Sequence, residues 1–266
     1  MSAADAPVGV EEPAGVEEAR EPPVMEPRRI WLEVLGLYFG TAVLIRIIRM
    51  VREGLGLSED WLVLVPIVFL YAPVLAERWN RFRVSDDIQY PEPWWPALGR
   101  AAKWLLGLVL LIYPFFVIGN HFWQTVGLPW VTDEVLGLRH PYRAHHPTHG
   151  LPDDLWLIIP YQLLCVGFAE EYFYRGYMQT RLNHVFRPDR FRFLGATFGW
   201  SLPVTAILFT LGHSLVTWQW WQPFIIFPAF IFGWLRSRTG NILAGTLFHA
   251  FSNTAMIVLD SIYGVR

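Results

Sequence analysis

Three short patterns in the last hundred residues place polar groups at spacings that share one face of a helix. "EEYFYR" sets Glu171 and Arg175 four apart, with Glu170 beside them and Tyr174 four beyond Glu170. "FTLGH" does the same for Phe209 and His213, and "HAFSN" for His249 and Asn253. A carboxylate inside a membrane costs at least a few kcal/mol, so it faces a partner or a water-filled cavity. Taken singly, Glu171 with Arg175 reads equally as an internal ion pair, and either histidine as a satisfied core residue. Taken together, two glutamates, two histidines and an asparagine on three helices form an acid–base set. Such a set can deprotonate water, stabilise an oxyanion and protonate a leaving amine.

The elements that must hold these groups are membrane spans. The 266 residues are 53% hydrophobic and 16% aromatic, only 17% are charged, and the net charge is −2, a composition that reads as an all-α polytopic membrane protein. No basic stripe argues for nucleic acid. The single cysteine, Cys165, excludes an intrachain disulfide framework, a CxxC redox site and a thiolate zinc cluster, and reads as packing in an apolar helix. A spanning helix needs roughly 20 apolar residues. Candidates lie near 30–50, 61–77, 100–119, 155–178, 198–216, 222–236 and 241–260, with the second and sixth short and Pro114 inside the third. The fifth is expected to begin near Ser201 and Pro203, leaving 193–200 interfacial, because that start brings His213 level with His249.

Residues 1–29, rich in Glu, Ala and Pro, read as a disordered cytoplasmic tail without a cleavable signal. Arginine and lysine in the short loops divide about fourteen to six in favour of an inside N-terminus. Residues 30–154 then hold the N-terminal spans and an external loop at about 119–154. That loop carries His121, His140, His145, His146 and His149, read as solvated in preference to metal-binding because the spacing matches no ligand pattern. The last unit, 155–260, holds all three motifs. No internal repeat of the transporter kind is present.

In order and in spacing, "EEYFYR", "FTLGH" and "HAFSN" resemble the E-E-x-x-x-R, F-x-x-x-H and H-x-x-x-N motifs of the CPBP family. These are the CAAX-processing and bacteriocin-processing intramembrane proteases, also called Abi. The stretch "FIFGWLRSRTGNILAGTLFHAFSN" is similar to that family's segment joining its last two core helices. The resemblance covers about 155–260 and implies an endopeptidase cutting near the membrane-proximal C-terminal part of its substrate. It implies Glu170 as the base that activates water, with His213 helping to hold that water. His249 and Asn253 would stabilise the oxyanion, and Glu171 with Arg175 would organise the site. Phe209 would pack.

The resemblance also implies a mechanism without an obligatory metal. A zinc variant remains the competitor, since two histidines and a glutamate with water are an accepted catalytic set, although no HExxH helix is present. The expected partners are the lipid bilayer and a membrane-anchored or lipid-modified protein substrate. An arginine-biased chain suggests a bacterial inner membrane. There the substrate would be a bacteriocin leader, an anti-sigma factor or the C-terminal sorting tail of an exported protein, the last resembling the myxosortase branch. A non-catalytic scaffold or immunity protein of the same fold is the alternative class.

Overall fold

In the computed structural model the described residues are 26–80, 93–131, 147 and 149–264. Helix α1 is Pro27–Leu55, α2 is Leu64–Asn80 behind a 3-10 turn at Glu59–Val63, and α3 is Trp94–Phe122. The run 155–183, α4, is continuously helical but contains π-helical stretches at Gln162–Gly167 and Tyr172–Gln179. Then come α5 (Ser201–Val216), α6 (Ile226–Thr239) and α7 (Leu243–Tyr263). Three helical segments, Pro27–Leu55, Asp60–Trp79 and Trp94–Trp130, are long and apolar enough to cross a membrane. The chain is an all-α membrane protein.

Several expected boundaries change. Pro27 occupies the first turn of α1, where its fixed φ and missing N–H carry no penalty, so Arg28 and Arg29 belong to the helix and not to a tail. Residues 1–25 lie outside the described residues. Helix α3 continues through a π turn at Trp123–Gly127 to Trp130, so 119–131 is helix and not loop. His121 is therefore helical, and its Nδ1 meets the Tyr263 hydroxyl at 2.5 Å. His149 donates its backbone N–H to the Ile262 carbonyl (3.2 Å), while His140, His145 and His146 lie outside the described residues. Helix α5 starts at Ser201 as expected, and the Ser201 hydroxyl bonds the Asn183 side chain, tying it to the end of α4. The stretch before it is not featureless: Phe191–Phe193 pairs antiparallel with Ala196–Phe198, β1 and β2 of a small hairpin.

The outer surface of α3 is apolar, with Leu110 66% and Phe115 75% exposed, as a lipid-facing helix requires. The core is aromatic and lies between α4, α5 and α6, where Phe173, Tyr177, Phe209 and Phe232 are at most 2% exposed. Helix α4 approaches α7 at backbone distance. A Cβ built on Gly167 would meet the Thr246 carbonyl oxygen at 3.0 Å and the Ala250 nitrogen at 3.3 Å. Small residues permit this approach where packing supplies most of the attraction between helices in lipid.

Helix α1 is tied to this core by polar contacts that no local pattern announces. Glu33 accepts from Arg181 Nε (2.9 Å) and Nη2 (2.8 Å) and from the Tyr177 hydroxyl (2.8 Å). Higher up, the Tyr38 hydroxyl donates to Leu208 O and Arg46 Nη1 to Val216 O at the end of α5.

Candidate active site

Glu170 and Glu171 sit between the two π-helical stretches of α4. Pro160 has no N–H to give the helical ladder, and the first π stretch opens two residues later. Each glutamate has its own surroundings. Glu171 is fully buried. Its Oε1 accepts from Arg175 Nη1 at 2.9 Å and from His249 Nδ1 at 3.1 Å. The Arg175 guanidinium also donates Nη2 to Ala229 O at 3.0 Å and stacks 4.3 Å from the centroid of Phe209. Phe209 thus packs against the arginine while also lying against His213, with ring centroids 4.7 Å apart.

The second carboxylate faces a cleft. Glu170 Oε2 lies 3.9 Å from His213 Nε2 and 3.8 Å from His249 Nε2 and has no direct hydrogen-bond partner among the described residues. The far nitrogen of each ring decides its tautomer. His213 Nδ1 is 2.9 Å from the Phe209 carbonyl, which can only accept, so that nitrogen carries hydrogen. His249 Nδ1 meets a carboxylate already engaged by arginine, so it carries hydrogen too. In neutral form both rings therefore turn an Nε2 lone pair towards Glu170. His249 is held in this pose by stacking on Phe232, with centroids 4.7 Å apart and planes 15° apart.

These contacts bring five of the six expected residues together: Glu170, Glu171, Arg175, His213 and His249. Asn253 lies one turn along α7 from His249, and its Nδ2 donates to Gln162 Oε1 at 3.0 Å. Gln162 escaped the sequence reading because that reading sought ionisable groups, and an amide in an apolar run gives no charge signal. Phe232 and Gly245 escaped it as ordinary core residues. Cys165, expected as packing, is half-buried and is among the residues lining the cleft that Glu170 also lines.

Residues 152–255 match the family model described as type II CAAX prenyl endopeptidase Rce1-like. That stretch is similar to the Rce1-like family, within the CPBP group. No curated protein and no solved structure matches the chain. The Rce1-like stretch contains all six motif residues, whereas α1, α2 and α3 precede it. That similarity, with the three long apolar helices, fits an integral membrane protein.

Zinc has donors of the right kind in the Rce1-like site. Four tetrahedral donors at about 2.0–2.1 Å from zinc stand about 3.3 Å apart. The histidine nitrogens are 3.8 and 3.9 Å from Glu170 Oε2, and among the described residues no group of three or more His, Cys, Asp or Glu is arranged to hold a metal. The two nitrogens stand wider from the carboxylate than neighbouring donors on a bound zinc do.

Gly245 guards the buried carboxylate. A Cβ there would lie 2.8 Å from Glu171 Oε2, against a side chain already fixed by Arg175 and His249. Gly245→Ala is expected to lower stability by about 1–3 kcal/mol, the usual cost of overpacking. It should also reduce cleavage at least tenfold by turning His249. Unfolding and cleavage rate measured together on the purified variant check this, and a wild-type rate would show that Glu171 gives way without cost.

Proposed function

We propose that the chain is an endopeptidase hydrolysing a peptide bond near the membrane-proximal C-terminal part of a membrane-anchored or lipid-modified protein, with water activated by Glu170. The observation that carries this reading is the Glu170 carboxylate standing between two histidine Nε2 atoms at 3.8 and 3.9 Å in an open cleft.

A water in that space donates one hydrogen to Glu170 Oε2 and the other to His213 Nε2, which leaves an oxygen lone pair for the scissile carbonyl. Glu170 takes the first proton as hydroxide adds to the carbonyl carbon. His249 with a proton on each nitrogen has a carboxylate on either side, and in this form its Nε2–H donates to the oxyanion. Asn253, steadied by Gln162, supplies the second donor. Donors preset in a water-poor site stabilise charge strongly, one donor being worth roughly 10²–10³ in rate. The tetrahedral intermediate collapses as the proton on Glu170 passes to the leaving amine, which departs as the new N-terminus of the released fragment. Glu171 and Arg175 never touch substrate; they hold His249.

The test compares C-terminal peptides of membrane and surface proteins from cells carrying the wild-type chain or Glu170→Ala. Uncut tails appearing only with Glu170→Ala support the reading and identify the substrate class. Identical peptidomes, with Glu170→Ala restoring the phenotype of a deletion strain, would replace the protease with a scaffold. A metal chelator such as 1,10-phenanthroline is expected to leave the cleavage rate of the purified protein within about twofold, because the water is activated by carboxylate and not by a cation. Loss of activity restored by added zinc would reverse that assignment.

A further inference from the structure

The cleft that exposes Glu170 holds a hydroxyl that the activation of water leaves unused. Tyr174 lies four residues after Glu170, so both side chains leave the same face of α4, and both line the cleft together with His213. The phenol ring is 4% exposed and is wedged among Phe69, Phe173 and Phe209, at centroid distances of 5.9, 5.0 and 4.8 Å. Close packing on three sides holds the ring in place. Helix α5 marks where its oxygen stands. A Cβ built on Gly212, next to His213, would lie 2.7 Å from the Tyr174 oxygen, whereas the next atom it would meet is 3.5 Å away, an ordinary contact. Of the atoms around that position, the Tyr174 hydroxyl is the one that requires glycine.

A buried tyrosine ordinarily gives its hydrogen to an acceptor within the protein. Tyr38, which also reaches Gly212, donates to the Leu208 carbonyl at 2.9 Å, and Thr41 on the cleft wall donates to the Tyr38 carbonyl at 2.8 Å. The Tyr174 hydroxyl makes no hydrogen bond among the described residues. A phenol keeps its hydrogen at neutral pH, so the group is a donor held at the cleft wall beside Glu170 and His213. Much of the remaining wall is apolar, with Ile45, Val65, Val166 and Val216. A peptide carbonyl moved from water into such a place loses its hydrogen bonds and needs a donor from the protein.

We propose that the Tyr174 hydroxyl donates to a backbone carbonyl of the substrate chain beside the scissile bond, and so positions that bond over Glu170. The proposal rests on the protease reading, since it places substrate in the cleft. Tyr174 holds the chain alike in the ground and transition states and moves no proton. Every sequence offers a backbone carbonyl, so this contact sets the register of the chain and not the choice of its side chains.

Tyr174→Phe removes the oxygen alone and serves as the test. The full-length protein in detergent micelles is assayed with a fluorogenic peptide spanning the cleavage site that peptidomics identifies. KM is expected to rise roughly three- to tenfold with kcat nearly unchanged, as for a neutral hydrogen bond made equally in the ground and transition states. The unfolding midpoint should stay at the wild-type value, because no bond within the protein is lost. Peptides that each carry one thioamide in place of an amide near the scissile bond locate the contact, since sulfur is a poor hydrogen-bond acceptor. One thioamide position should raise KM for the wild type and make no difference to Tyr174→Phe. Gly212→Ala should lower the unfolding midpoint when residue 174 is tyrosine and cause no loss in combination with Tyr174→Phe.

An unchanged KM in Tyr174→Phe, or thioamide effects equal in the two proteins, overturns the proposal. A fall in kcat at constant KM also overturns it, assigning the hydroxyl to the oxyanion instead. So does a lowered unfolding midpoint in Tyr174→Phe, which would give the hydroxyl a partner within the protein. Failure of the protease reading is distinct: cleavage in cells would then be indifferent to Glu170→Ala, and the proposal would fall with it whatever Tyr174→Phe does to stability.

Discussion

A chain carrying Glu170→Gln is expected to fold as the wild type does and to cut its substrate roughly a hundredfold to ten-thousandfold more slowly, the range for loss of a positioned general base. The amide keeps the shape of the side chain and cannot take a proton from water. Stability should be little changed, because Glu170 Oε2 accepts no direct hydrogen bond among the described residues and its side chain is only 15% exposed. Removing a charge from such a place strands no partner. Single-turnover rates on the substrate found by peptidomics, set beside the unfolding midpoint in detergent, check both halves. His213→Ala should cost less, since it removes one of the two groups that orient the water and leaves the base. If Glu170→Gln retained the wild-type rate, the base would have to be sought elsewhere and the bridging-water mechanism abandoned.

The second large effect belongs to the other glutamate and has the opposite character. Glu171→Ala leaves the Arg175 guanidinium, 1% exposed, without its counter-charge. Breaking a buried pair from one side costs about 3–5 kcal/mol. The same substitution takes the acceptor from His249 Nδ1, so cleavage should be lost together with stability. A paired replacement separates the two effects. Glu171→Gln with Arg175→Met keeps volume and removes both charges, and is expected to regain most of the stability without regaining activity, because the amide no longer offers His249 Nδ1 a charged acceptor to hold the ring. Denaturant unfolding in mixed micelles and the cleavage rate, measured on wild type and both variants, decide the matter. Full activity in the paired variant would show that the pair serves packing alone.

The contrast between neighbouring glutamates comes from helix geometry. Adjacent residues on a helix point about 100° apart, so one carboxylate can be fully buried among α6 and α7 while the next faces a cleft walled by α1, α2 and α5. The pair itself lies on the α-helical turn Phe168–Glu171, between the two π-helical stretches.

What the sequence determined by itself was local. The apolar runs, the helical character and the spacing of Glu171 with Arg175, of Phe209 with His213 and of His249 with Asn253 all follow from periodicity within one turn. Even the start of α5 at Ser201 was legible, because only that start brings His213 level with His249. Tertiary structure decided what each polar group meets. His249 reaches Glu171 across 78 residues of chain, Asn253 reaches Gln162 across 91, and Glu33 reaches Arg181 across 148. No periodicity encodes such pairings, since they depend on how far helices approach and how they are rotated. The small residues Gly167 and Gly245 set that approach through contacts visible only once α4 and α7 are packed.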